Sequence, residues 1–281
     1  MDQKIWPAPA KINWFLHVVG KRDDGYHDLQ TVFQFLDYSD EMTFALSDDG
    51  IISRNYDYGF DESVDLCLRA AQLLKDSSNN PMLGVTIGLD KKIPMGGGLG
   101  GGSSNAATTL LALNELWEIN LDRKELASLA LQLGADVPIF IFGQSAWAEG
   151  VGEQFSPINL SESWYLVVTP NIQVSTRQIF CHKHLTPRPQ MKKIRALEKG
   201  INLDFGENQL EPIVRTEYPQ VDALIEWLSQ FGKPRMSGSG GSVFMPLENP
   251  QQGEQIILKK PVNSTAFVAK GVNYHPLIEV A

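Results

Sequence analysis

Apolar and polar positions alternate over residues 12–19, with Ile12, Trp14, Leu16 and Val18 in one phase and Asn13, Phe15, His17 and Val19 in the other. A period of two predicts a strand with one face buried more deeply than the other. The strand pattern returns over 32–36 and 42–46, and Lys21-Arg22-Asp23-Asp24 with Gly25 supplies the turn after the first strand. Over 65–74 the period changes. Leu66, Ala70, Leu73 and Leu74 fit one face of a helix, and Asn79-Asn80-Pro81 breaks the chain behind it. A short strand over 85–89 comes next. Ala106, Leu110, Leu113 and Trp117 mark a helix over 105–117, and a second helix over 124–133 ends with Gly134 as its C-terminal cap. Past Ser156 the pattern predicts strands over 164–168 and 242–245 and a helix over 221–230, with a Pro-rich segment at 186–189. Helices and strands mix without strict βαβ alternation, so the expected class is α+β. The length predicts two lobes, residues 1–155 and 156–281.

Composition narrows the partners. Apolar residues make up 43% and charged residues 20% of the chain, the balance of a globular protein. A net charge of -9 leaves no basic footprint for nucleic acid and disfavours anionic membranes, so an anionic substrate needs local cations. The start, Met1-Asp2-Gln3-Lys4-Ile5-Trp6-Pro7, lacks a signal-peptide pattern, and no apolar run reaches the roughly 18 residues of a membrane span. A cytoplasmic protein is expected, acting as a monomer or weak homodimer. Cys67 and Cys181 have no CxxC spacing, which predicts ordinary buried or half-buried thiols rather than a disulfide or zinc site.

The run Pro94-Met95-Gly96-Gly97-Gly98-Leu99-Gly100-Gly101-Gly102-Ser103-Ser104 places six glycines in the seven positions 96–102, directly before a helix. Such a run is an entropic liability unless the backbone must bend sharply or approach something closely. At a helix N-terminus unpaired amides converge with the positive end of the macrodipole, so phosphate is the natural ligand. The dinucleotide fingerprint is matched only formally, because a second helix stands where the strand with a ribose-binding acid belongs. A Walker loop is excluded, since Gly102 occupies the lysine position. The protein-kinase HRD and DFG motifs are missing too.

Taken with Pro9-Ala10-Lys11-Ile12-Asn13 and Ser237-Gly238-Ser239-Gly240, the loop resembles the three motifs of the GHMP kinase superfamily, in the same order. Gly25-Tyr26-His27 and Leu133-Gly134-Ala135-Asp136-Val137-Pro138 further resemble the branch acting on a cytidine-diphosphate-linked sugar alcohol. The resemblance implies a two-domain GHMP kinase fold with the site in the cleft between lobes. It also implies transfer of the ATP γ-phosphate to an alcohol, with Mg2+ neutralising the phosphates. Residues 94–104 would hold ATP. Asp136 would act as general base and Lys11 would favour the developing alkoxide. Tyr26 and Phe180 would sandwich the cytosine, His27 would hydrogen-bond it, and Asn13 and Thr176 would hold the acceptor and its diphosphate.

Other features stay open at this level. Lys91 and Lys92 suit either the ATP site or solvent, the 237–241 segment suits a backbone approach to the diphosphate or to the glycine loop, and Ser104 is the sole nominee as a metal ligand. Cys181-His182-Lys183-His184 lacks the distant ligands that would complete a metal site. Two departures stand out: Asp65 replaces the usual asparagine on the adenine side, and Gly241-Ser242 replaces Pro-Cys or Ala-Cys. Rival readings are another GHMP kinase, acting on homoserine, mevalonate or a sugar, and a catalytically silent regulator. Tyr26, His27 and Phe180 argue against the first, and Lys11 with Asp136 against the second.

Overall fold

A computed structural model describes residues 4–189 and 206–279. Strands β1 (Trp6–Lys21) and β2 (His27–Ser47) form a long antiparallel ribbon. The turn between them closes through the Arg22 N–H donating to the Tyr26 carbonyl, 2.9 Å. The strands expected over 32–36 and 42–46 are one continuous strand. Asp37, Ser39 and Glu41 read as a break, yet the pairing with β1 continues past them, through Pro9↔Ser39 and Pro7↔Glu41. β1 also lacks the more exposed face its alternation predicts: Asn13 is 1% exposed and Phe15 0%. The reason is that β1 feeds three separate cores, with Trp6 and Ala8 in the first, Ile12 and Trp14 in another and Leu16 and Val18 in the last.

The remaining strands are β3 (Ile52–Arg54), β4 (Gly84–Asp90), β5 (Ala146–Glu149), β6 (Gln154–Pro157), β7 (Trp164–Pro170), β8 (Arg235–Met236), β9 (Val243–Leu247) and β10 (Ser264–Val272). The sheet runs β3-β4-β2-β10-β7-β9-β8, with β1 and β5 also paired to β2 and β6 to β5. Among the strand pairs of the described residues only β3 and β4 run parallel, so the fold is α+β rather than doubly wound. β10 bridges the halves, pairing with β7 along its length and with β2 at Gly271↔Leu36 and Val272↔Phe35.

Four helices pack on the first half: α1 (Leu66–Ser78), α2 (Gly101–Leu116), α3 (Arg123–Leu133) and α4 (Val137–Phe142). Asp122 and Glu125 form a capping box on α3, which then ends at Gly134. The central helix, α2, is buried almost all round, as its run of Ala, Thr and Leu over 106–113 dictates. In the second half α5 (Thr176–Phe180), α6 (Glu211–Glu217), α7 (Pro219–Leu228) and α8 (Pro250–Ile257) are set around β7 and β9. Among the described residues no helix is long and apolar enough to cross a membrane. Cys67 is buried, as expected, whereas Cys181 is exposed rather than half-buried, because it follows the short α5 on its open side.

Candidate active site

A cavity of about 1080 Å³ opens where β1, the glycine loop, the starts of α2 and α4, helix α5 and the 237–241 turn converge. Crowding from behind shapes the loop. Gly98 has φ +75°, and a Cβ there would lie 2.3 Å from the Ser237 carbonyl oxygen; one on Gly100, φ +73°, would lie 3.0 Å from Lys11 Cε. The Ser237 hydroxyl donates to the Gly98 carbonyl at 3.0 Å, and the Ser242 N–H to the Gly97 carbonyl at 2.8 Å. The 237–241 turn is therefore a buttress for the glycine loop. Ser242, one of the two departures, donates or accepts a 2.7 Å bond with the Thr169 hydroxyl, which makes it a packing residue.

α2 starts at Gly101, four residues earlier than its periodicity suggests, because glycines hide an amphipathic signal. Its N-cap is Gly100, with no side-chain cap bond, so the first-turn amides are left for a ligand. Ser103 lines the cavity. Ser104 does not: it is 0% exposed and its hydroxyl has no partner among the described residues.

Lys11, 1% exposed, is held by three oxygens. Its Nζ donates to Asn13 Oδ1 at 2.6 Å and to the Gly98 carbonyl at 3.2 Å, and it pairs with Asp136 Oδ2 at 3.0 Å. Asp136 stands at the N-cap of α4 but makes no capping bond, so its carboxylate, with 43% of the side chain exposed, is turned to Lys11 and the cavity. Asn13 is fixed in turn by donating to the Thr31 hydroxyl, 2.9 Å. Beyond this pair one end of the cavity is lined by Tyr26, His27, Thr176 and Phe180. The His27 and Phe180 ring centroids are 5.8 Å apart, Tyr26 is 60% exposed, and the Thr176 hydroxyl shares a 2.7 Å hydrogen bond with Ser239. Burial and the nearby Lys21 charge push the His27 imidazole below its ordinary pKa.

The opposite end is walled by Tyr56, Tyr58, Phe60 and Leu66. Asp65 accepts four bonds there: from the Cys67 and Leu68 N–H groups at 2.8 and 3.4 Å, and from Arg54 Nη1 and the Tyr56 hydroxyl at 2.8 Å each. Its carboxylate is an N-cap and an ion-pair partner with no capacity left over. An asparagine would aim an amide donor at Arg54, so the acid is matched to its neighbour. Lys91 and Lys92 separate. Lys92 pairs with Glu41 on the surface, while Lys91 lines the cavity and pairs with Asp40 Oδ2 at 2.5 Å. Burial lowers the Lys91 pKa, and the Asp40 carboxylate opposes that shift.

Every residue expected to act in catalysis, on ATP or on the acceptor lines this one cavity except Ser104, whereas Lys92 and Ser237 lie outside its wall. Sequence reasoning missed Asp40, whose carboxylate also accepts from Asn105 Nδ2 at 2.8 Å and from the Lys92 and Ile93 N–H groups at 2.7 and 2.8 Å. A signal existed, since Asp40 shares the buried phase of β2 with Met42 and Phe44. Ser239 and Arg177 were missed as well. Among the described residues no three His, Cys, Asp or Glu side chains, those of His182 and His184 included, form a metal-holding group.

The sequence matches the GHMP kinases N terminal domain over residues 65–144 and the GHMP kinases C terminal domain over 188–259. It is 50% identical over 277 residues to the 4-diphosphocytidyl-2-C-methyl-D-erythritol kinase of Thiobacillus denitrificans, covering 98% of each chain. It is 49% identical to the same enzyme of Marinobacter nauticus, covering 96% of this chain and 95% of that one. A solved 4-(cytidine 5'-diphospho)-2C-methyl-D-erythritol kinase superposes with a TM-score of 0.81 at 32% identity, over 95% of this chain and 99% of that chain. Mevalonate kinase of Methanococcus jannaschii, TM-score 0.69 at 17% identity over 97% and 99% of the two chains, shares the fold. With its glycine loop, its Lys11–Asp136 pair and these relatives together, the chain belongs to the 4-diphosphocytidyl-2-C-methyl-D-erythritol kinase family of the GHMP kinases.

Proposed function

We propose that this protein transfers the γ-phosphate of ATP to the 2-hydroxyl of 4-diphosphocytidyl-2-C-methyl-D-erythritol, giving the 2-phosphate and ADP, in the non-mevalonate route to isopentenyl diphosphate. The observation that carries this reading is the Lys11–Asp136 pair, 3.0 Å apart, standing in one cavity between a glycine loop and an aromatic end. The loop amides and the α2 N-terminus bind the triphosphate. Tyr26, His27 and Phe180 take the cytosine, and Asn13 and Thr176 the acceptor.

The acceptor hydroxyl docks beside this contact pair, in hydrogen-bond reach of both Lys11 Nζ and the Asp136 carboxylate. Its oxygen forms a bond to the γ-phosphorus as the bond to the β,γ-bridging oxygen breaks, and Asp136 takes the hydroxyl proton. The transition state is loose, so fixed positions and charge matter more than proton abstraction. Lys11 suits that role because Asn13 and Gly98 hold its ammonium in place before substrate arrives. Magnesium bound with ATP would neutralise charge on the phosphates, and Ser103, the loop hydroxyl that lines the cavity, would be the residue to hold it. The work is divided between two lobes, 1–155 and 156–281, in a cytoplasmic monomer or weak homodimer. Incubation with ATP, magnesium and the acceptor, followed by phosphorus NMR, tests the reading. It predicts a new phosphomonoester on the acceptor; ATP loss without one contradicts it.

A further inference from the structure

Six Asp, Lys and Arg side chains line the cavity, and five of them are already paired. Lys11 and Asp136 hold each other, Lys91 holds Asp40, Asp65 holds Arg54, and Asp24 holds Arg22. Among the described residues the sixth, Arg177, has no ion-pair or hydrogen-bond partner for its guanidinium. In a chain of net charge -9, the cavity-wall charge left uncompensated among the described residues is thus positive.

Its backbone is well fixed. The Ser175 hydroxyl caps α5, the Ser175 N–H donates to the Tyr218 hydroxyl at 3.3 Å, and Thr176 bonds Ser239. Thr176, Arg177, Phe180 and Cys181 all line the cavity, whereas Ile179 is buried on the other side. Positions i, i+1, i+4 and i+5 make a single helical stripe, so the register of α5 carries Arg177 to the cavity on the same face as Phe180. Phe180 packs beside His27, their ring centroids 5.8 Å apart, so Arg177 shares its face of α5 with a ring that meets the β1–β2 turn.

We infer that Arg177 binds the diphosphate of the acceptor, an inference that rests on the function proposed above. A planar guanidinium matches two phosphate oxygens with two parallel N–H bonds, a geometry lysine lacks. The diphosphate is the doubly anionic group next to the nucleoside, and a base held by Phe180 brings it within reach of the neighbouring turn of α5. Thr176 contributes a hydroxyl, and Arg177 contributes the charge.

Steady-state kinetics of Arg177→Ala, Arg177→Lys and Arg177→Glu decide the matter, with CDP and cytidine compared as inhibitors against the acceptor. The expected result for Arg177→Ala is an acceptor KM raised about tenfold, the scale of one charge-assisted hydrogen bond in an open site. Arg177→Glu raises it further, Arg177→Lys less, and the KM for ATP stays put. The advantage of CDP over cytidine shrinks in Arg177→Ala, and the acceptor KM loses part of its salt dependence. An acceptor KM unchanged in both Ala and Glu variants, or an equal rise for ATP, overturns the assignment. If the unaltered protein fails to phosphorylate the acceptor, the function proposed above falls. Calorimetry still judges Arg177 in that event: a CDP preference over cytidine that Arg177→Ala abolishes supports it, and its absence refutes it.

Discussion

At the part of the cavity proposed for the nucleotide Asp65 accepts four hydrogen bonds and Asp40 accepts from Lys91, Asn105 and two backbone amides, whereas at the part proposed for the acceptor Tyr26 is 60% exposed and Arg177 has no partner among the described residues. The first is a finished wall, its two tyrosine rings pinned by their own hydroxyls: Tyr56 donates to Asp65, and Tyr58 donates to the Leu89 carbonyl at 2.8 Å and accepts from the Lys91 N–H at 3.1 Å. The second is a set of unspent groups on a fixed frame. The contrast teaches where selectivity resides. On the proposed function, polar groups already satisfied within the protein would hold a shape for a ligand common to many kinases, and groups left unsatisfied would choose the acceptor.

The largest expected effect lies where the two ends meet. Asp136→Asn removes the base and leaves the frame, since Asp136 makes no capping bond. We expect kcat to drop roughly 10²- to 10⁴-fold, about 3 to 5 kcal/mol of barrier, with ATP and acceptor binding retained. Stopped-flow or coupled-assay kinetics check this, and a near-normal turnover number rejects the assignment. Next comes the finished wall. Asp40→Ala leaves Lys91 buried without its carboxylate and strips acceptors from three further donors. A loss of roughly 3–5 kcal/mol in denaturant unfolding is expected, as for any broken buried pair, together with weaker ATP binding.

The acceptor end predicts the opposite split. Phe180→Ala should cost about 1 to 3 kcal/mol in acceptor binding and leave stability and the KM for ATP nearly untouched. Equal changes in both KM values would make Phe180 a core residue. The smallest effect concerns pH. His27 is held below its ordinary 6.5, first by burial and then by Lys21, so it is neutral at pH 7. Acceptor KM should worsen as pH falls through that lowered pKa, while the KM for ATP does not follow. Between the lowered value and 6.5 the unfolded chain binds more protons than the folded one, so acidification there also removes stability. His27→Asn should flatten both profiles, seen in KM and in melting temperature measured across pH.

How much of this was written in the sequence depends on separation along the chain. The glycine loop declared itself because its residues are contiguous, and Lys11 and Asp136 because their local motifs are distinctive. Asp40 stayed hidden because its partners Lys91 and Asn105 lie 51 and 65 residues away: its phase with Met42 and Phe44 marks it as inward-facing but does not name what it pairs with. Arg177 reads as an ordinary surface charge until the rest of the cavity is seen to be neutralised. The length of β2 was illegible for a related reason: its polar middle faces a change of partner from β5 and β10 to β4, which alternation within one strand does not encode. Asp65 shows the converse, a departure visible in sequence whose meaning required Arg54, a neighbour through the fold.

A crystal structure with a non-hydrolysable ATP analogue and the cytidylyl acceptor bound together addresses the central claim most directly. The γ-phosphate should rest on the amides between Gly96 and Ser103, with the acceptor hydroxyl in hydrogen-bond reach of both Lys11 Nζ and Asp136. A triphosphate bound away from that loop, or an acceptor hydroxyl touching neither Lys11 nor Asp136, would contradict the account.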